Sequence, residues 1–241
     1  MNTLSFACPP KKIVWPYPLL AVCLLTLSAC SSTQKVKLDS ASVNCGLLGP
    51  DCSSRLVPGG DDQVGMRNIK PGVNWTQYKK VILSPVTFWG GDSTKVPVAD
   101  QQALVNYFDQ ELLEQLGKNF TLVSEPGPGV LKLDVALTDA ETAIPVLRSI
   151  SILIPQAHAV SNLKYLATGT YPFVGGAQVE IRATDSVTGE VLGEGLDKRI
   201  GGGSFKTGLQ WQWGDAENAI DLWSEVLSKR LAAWTSGTDK P

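Results

Sequence analysis

Gly176-Ala177-Gln178-Val179-Glu180-Ile181-Arg182-Ala183-Thr184-Asp185-Ser186-Val187-Thr188-Gly189-Glu190 is the stretch on which the fold turns. Ala177, Val179, Ile181 and Ala183 alternate with Gln178, Glu180, Arg182 and Thr184. That two-residue period predicts a strand with one buried face. Asp185 to Glu190 reads as a hairpin turn, in which the Asp185 carboxylate can bond the turn backbone and Gly189 is free to take a positive φ. Val191 to Ile200 returns as the partner strand. Gly193 and Gly195 inside it predict a bulge or the close approach of another element.

The pattern extends outward from this hairpin. Upstream, Leu131, Leu133, Val135 and Leu137 alternate with Lys132, Asp134, Ala136 and Thr138, a second one-sided strand from Val130 to Thr138. A turn at Glu125-Pro126-Gly127-Pro128-Gly129 separates it from a short strand, Phe120 to Ser124. Tyr78 to Phe88 is apolar on both faces at Val81-Ile82-Leu83, as an interior strand would be, with an edge, bulge or end expected at Pro85. Ala99 to Leu116 carries Leu104, Phe108, Leu112 and Leu116 on one stripe, widened by Val105, and stops at Gly117. Downstream, Gly201-Gly202-Gly203 forms a joint. A last helix is expected from Asp215 to Trp234, with Ala219, Trp223, Val226, Leu227, Arg230 and Trp234 on or beside one face. Asp215 suits its N-cap, and Lys229 and Arg230 suit its C-terminal end. Residues 140–172 are an excursion with a short helix expected near Ala157 to Leu166. The whole predicts an α+β fold: a two-layer sandwich, with a mixed sheet of about five strands and two main helices packed on one face. The first strand-helix-strand unit is expected to be a right-handed parallel crossover.

The beginning of the chain carries a different signal. Ile13 to Ala29 is apolar, follows Lys11 and Lys12, and ends on the small residues Ser28 and Ala29 before Cys30. This is the layout of a secretory leader, and the run is short for a membrane span of about 20 residues. Leu27-Ser28-Ala29-Cys30 is similar to a bacterial lipobox. The resemblance implies cleavage before Cys30 and acylation of that cysteine, and Ser31 in place of Asp implies an outer-membrane destination. Several acyl chains hold a protein firmly, at about 0.8 kcal/mol per buried methylene. The expected division is a leader over 1–29, a lipidated Cys30 with flexible tether and lead-in to residue 77, a single domain over 78–236, and a disordered tail from 237 to 241.

Removing Lys11 and Lys12 from 21 basic residues leaves 19 against 23 acidic, a mature net charge of −4. A mildly acidic protein of this kind is not a nucleic-acid binder. About 210 residues remain after cleavage, enough for one domain with its own core. Cys8 and Cys23 leave with the leader. Cys45 and Cys52 stay, and in an oxidising periplasm they are expected to pair. Their spacing is wider than a redox Cys-x-x-Cys, and without a nearby histidine they make a poor zinc site.

From Tyr78 to Trp234 the chain resembles a bacterial lipoprotein family known as domain of unknown function 3313. Tyr78-Lys79-Lys80-Val81, Pro126-Gly127-Pro128-Gly129-Val130-Leu131, Leu137-Thr138-Asp139-Ala140, Gly175-Gly176-Ala177-Gln178-Val179-Glu180, Asp185 to Glu190 and Asp197-Lys198-Arg199 carry the resemblance, in that order. It implies an envelope lipoprotein and supplies no activity.

Chemical motifs are sparse. Ser161-Asn162-Leu163-Lys164 and Lys206-Thr207-Gly208 match two motifs of penicillin-recognising enzymes, but no Ser-Asp-Asn lies between them and Ser32 to Lys35 repeats the first by chance. Gly201-Gly202-Gly203-Ser204-Phe205-Lys206-Thr207 lacks the glycine that a phosphate loop needs before its lysine. His158 is the single histidine, which rules out clustered-histidine metal sites. No catalytic residue, metal ligand or cofactor is assigned. Trp211 and Trp213 precede the last helix as candidate anchors for a partner. The expected function is a lipid-anchored, periplasm-facing accessory or assembly protein with an envelope partner. A carrier or sensor of a lipid or small apolar ligand is the alternative, and a hydrolase stands third.

Overall fold

The computed structural model describes residues 33–39, 43, 45–61, 63–91, 94–141, 175–201 and 212–241. The lipobox-like stretch with Cys30, the excursion with His158, Ser161 and Lys164, the lysine of Lys206-Thr207-Gly208, and Trp211 lie outside these residues. In chain order the elements are β1 (Thr33–Lys35), α1 (Cys52–Arg55), β2 (Val57–Pro58), β3 (Met66–Ile69), a 3-10 turn at Trp75–Gln77, β4 (Lys80–Leu83), β5 (Thr87–Phe88), α2 (Val98–Gly117), β6 (Thr121–Leu122), β7 (Val130–Glu141), β8 (Gly176–Asp185), β9 (Val191–Gly201) and α3 (Gly214–Ser236).

The fold is α+β with a mixed sheet, but the sheet has nine strands rather than about five. Its order is β2-β3-β9-β8-β7-β4-β6, with β1 also on β9 and β5 also on β7. The long antiparallel strands β7, β8 and β9 form the centre, and each outer edge is completed by short strands. On β9 these are β3 and β1, both antiparallel; on β7 they are β4 and β5, both parallel. Three of the additional strands come from the lead-in. Thr33–Lys35, Val57–Pro58 and Met66–Ile69 are too short to show an alternating pattern; the free edge of β9 makes strands of the first and third, and the edge of β3 makes one of the second. Pro85 splits the expected Tyr78–Phe88 strand into β4 and β5, as a residue without an N–H must.

Helix α2 buries the expected stripe: Leu104, Val105, Phe108, Leu112 and Leu116. It packs on α3, where Tyr107 donates to Asp221 Oδ1 at 2.6 Å and Ser228 donates to the Gln115 carbonyl at 2.6 Å. Both helices share one core with Leu131, Leu133, Val135 and Leu137 of β7 and with Ala177, Val179, Ile181 and Ala183 of β8. Asp215 is not the N-cap of α3. That position is Trp213, and Asp215 lies in the first turn, where its charge complements the helix dipole. The helix runs on to Ser236 and ends at Gly237, whose φ of 77° lets its N–H reach the carbonyls of Ala233 and Trp234. Lys229 and Arg230 therefore fall short of the last turn.

The β8–β9 turn is built as its residues suggest. Asp185 Oδ1 accepts from the N–H groups of Val187 at 3.0 Å and Thr188 at 2.9 Å, and Gly189 takes a φ of 70°. These bonds, that of Thr188 first, hold the Asp185 carboxyl below its ordinary range. Tyr78 Oη donates to the other oxygen at 2.9 Å, and burial, with that bond, pushes the Tyr78 phenol up to about 12.

Candidate functional site

The pleat of β8 and β9 sorts their side chains onto two faces. One face meets the helices. The other carries Glu180, Arg182, Glu194 and Leu196, because Glu180 pairs with Leu196 and Arg182 with Glu194 across the ladder. The lead-in covers this second face. A disulfide joins Cys45 to Cys52. Inside its loop the N–H of Gly46 donates to Glu180 Oε1 at 3.0 Å and that of Leu48 to Oε2 at 2.8 Å. Glu180 is fully buried. Burial raises its carboxyl above the ordinary glutamate range, opposed by the N–H donors of Leu48 and Gly46. Beside it, Glu194 receives Arg55 at 3.1 and 3.2 Å and Arg182 at 3.4 Å. Arg55 also donates to the Leu48 carbonyl at 2.9 Å, and its bonds to Glu194 and Asp51 hold the guanidinium above its ordinary value. Leu48, Cys52, Leu56, Met66 and Leu196 close a small second core around this network.

Two more buried carboxylates tie elements together. Asp197 accepts from the Gly65 N–H at 2.7 Å, from Arg199 Nε at 2.7 Å and from Trp223 Nε1 at 2.8 Å, joining lead-in, sheet and α3. Asp215 accepts from the Gly175 N–H at 2.8 Å and lies against Gly201, where a Cβ would stand 2.2 Å from the carboxylate oxygen. These four acids are structural bolts.

The helix face of β9 is different. Gly193 and Gly195 lie opposite Ala183 and Ile181 there, with a register shift between Ala183 and Thr184. Both expectations for these glycines hold: a bulge and a close approach. A Cβ at Gly193 would stand 3.1 Å from Ile69 Cδ1, and one at Gly195 would stand 3.4 Å from Val64. With two successive inward positions bare, α3 does not fill the space. An apolar cavity of about 100 Å³ remains over the glycines, walled by Trp75, Trp223, Trp234, Leu227 and Leu231. Trp75 and Trp234 meet at 5.2 Å between ring centroids, tilted by 57°. Arg67 and Arg230 are also among its lining residues. Arg67 and Trp75 come from the lead-in, and nothing in their local pattern marks them. The two glycines were the available signal.

Trp213, a candidate partner anchor, is 1% exposed and belongs to the main core. It offers no surface because the turn before α3 folds it inward. Among the described residues no helix is long and apolar enough to cross a membrane, and no group of acidic, histidine and cysteine side chains could hold a metal ion.

A family model described as "Protein of unknown function (DUF3313)" matches residues 46–227. The chain belongs to this family. The match begins inside the disulfide loop, well before Tyr78, so the family's span includes the segment that covers the second face of the sheet. The chain is also 25% identical over 172 residues to "Uncharacterized lipoprotein YdcL" of Escherichia coli strain K12, covering 70% of each protein. The PelC dodecamer from Paraburkholderia phytofirmans matches with a TM-score of 0.37 and 12% identity, over 68% of this chain and 97% of that one. That likeness is too low to bear on fold or function. The family is thus a bacterial lipoprotein family of unknown function.

Proposed function

We propose that the protein is a bacterial envelope lipoprotein, held by acylated Cys30 in the outer membrane and facing the periplasm, and that it works by binding rather than catalysis. Leu27-Ser28-Ala29-Cys30 and the lipoprotein relative support the anchor. One observation carries the non-catalytic half of the reading. Each buried carboxylate among the described residues receives backbone N–H, arginine or tryptophan donors that hold the fold. Acids so engaged are not poised to exchange protons with a substrate. An accessory or assembly role beside an envelope protein partner fits this reading.

The test has two arms. Cys30→Ala is expected to lose incorporation of a labelled fatty acid and to leave the membrane fraction. Retention of both would overturn the anchor. Crosslinking of the wild-type protein in its native membrane is expected to capture one stoichiometric envelope protein. A serine-reactive probe that labels Ser161 would instead revive hydrolysis. A second reading, a carrier or sensor of an apolar ligand, is favoured by the cavity over Gly193 and Gly195.

A further inference from the structure

The cavity over Gly193 and Gly195 is the inner of two chambers. An outer depression of about 570 Å³ lies against it and shares Arg67, Ile69, Trp75 and Trp234 with it. The two differ in chemistry. The inner chamber's wall is mainly leucine, isoleucine, valine and tryptophan with bare backbone, and Gln63, Glu194 and Arg230 also border it, whereas the outer one is ringed by Lys70, Asn74, Thr76 and Lys240 with one acid, Asp239.

Two residues that line both chambers carry a polar group with no partner among the described residues. Arg67 is half-buried, and among the described residues its side chain makes no hydrogen bond or ion pair. Its place on the helix face is set by register, opposite Gly195, while its neighbour Asn68 points to the second face and reaches Glu194. Trp234 has a buried Nε1–H without an acceptor among the described residues. Buried donors are nearly always satisfied, and the exceptions ask for a missing acceptor. An arginine drawn away from bulk water without a counter-ion asks for the same thing, an anion with paired oxygens.

We propose that this two-chamber site binds a single-chain anionic amphiphile, with the chain end over Gly193 and Gly195 and a carboxylate or phosphate head at Arg67. Size limits the ligand. An apolar cavity of roughly 150 Å³ accommodates a benzene ring, so the inner chamber takes only the last few carbons. The rest of the chain runs along the touching rings of Trp75 and Trp234, which line both chambers, to the head. A medium-length acyl chain satisfies both ends, and a neutral apolar molecule leaves Arg67 and Trp234 unanswered. The inference rests on the apolar-ligand reading above.

The experiment places the full lipidated protein in phosphatidylcholine vesicles and titrates three probes: ω-bromoundecanoate, ω-bromoundecyl phosphate and ω-bromoundecanol. Bromine on the chain end quenches tryptophan fluorescence at contact. At least one acidic probe is expected to quench saturably and to bind about tenfold or more tightly than the alcohol, a difference of about 1.4 kcal/mol. A preference for the carboxylate points to a free fatty acid as the source, and one for the phosphate points to a lysolipid. Arg67→Gln is expected to remove the advantage of acid over alcohol. Gly195→Leu, whose side chain would occupy the inner chamber, is expected to abolish saturable quenching by all three. If Gly195→Leu fails to fold by circular dichroism, the Arg67→Gln comparison still decides. Equal binding of acids and alcohol, or unchanged acid binding in Arg67→Gln, overturns the anionic amphiphile. Absence of saturable quenching overturns the cavity as a binding site and with it the carrier reading. Anchoring and partner capture, read by fractionation and crosslinking, stand or fall separately.

Discussion

On the helix side of the sheet, Phe108, Leu112, Leu116 and Trp223 bring two long helices down onto an extensive apolar surface. On the other side, five buried residues surround a pair of glutamates, and backbone N–H groups and arginines do much of the holding. The first face is closed by area, which is non-directional and tolerates a gap. The second is closed by hydrogen bonds, which are directional and leave no slack. The difference explains where a cavity can exist. Bare positions at Gly193 and Gly195 leave space under α3 because the remaining apolar contacts still hold the helix. An equal gap beside Glu180 would strand the N–H groups of Gly46 and Leu48.

Substitutions should separate the two mechanisms. Phe108→Ala, at a fully buried position of the large core, is expected to lower stability by about 3–5 kcal/mol in chemical denaturation. Glu180→Ala should cost about 2–4 kcal/mol, because two buried N–H donors lose their acceptor. Its near-UV signature should show the helix-side tryptophans still packed. If Glu180→Ala proves neutral, the second face is held by its apolar residues after all. Replacing Cys45 and Cys52 by serine opens a short loop and is expected to cost about 2 kcal/mol. Amide exchange should then rise at Gly46 and Leu48 while α2 keeps its protection.

A smaller effect sits on pH. The folded Glu180 carboxyl is raised by burial, so it keeps its proton after the unfolded chain has released its own. Its contribution to stability therefore declines as pH rises from the ordinary glutamate range through the raised folded value, and is flat below and above. Wild type minus Glu180→Gln should show that falling step in pH-dependent unfolding. A rising step would mean the N–H donors outweigh burial. The smallest expected effect is at Arg67. Arg67→Gln should change stability by no more than about 0.5 kcal/mol, since its side chain makes no hydrogen bond or ion pair among the described residues. A large loss would assign it to the fold instead of to a ligand.

The hairpin, the stripe of α2 and the Asp185–Gly189 turn were all legible from residue order, since each depends on neighbours within a few positions. Gly193 and Gly195 also announced a bulge or a close approach. The candidate site was only half legible: the glycines were visible, but Arg67 and Trp75 sit in a lead-in without any period. Trp213 misled because a tryptophan outside a helix reads equally as anchor or core. By itself the sequence determined the strand faces, the two long helices and the lipobox-like Cys30, because alternation, helical spacing and short motifs are local. Tertiary structure decided the nine-stranded sheet, the four acidic bolts and the cavity. Each of these depends on an edge, a donor or an empty volume supplied by residues far away in the chain, and no local pattern records that.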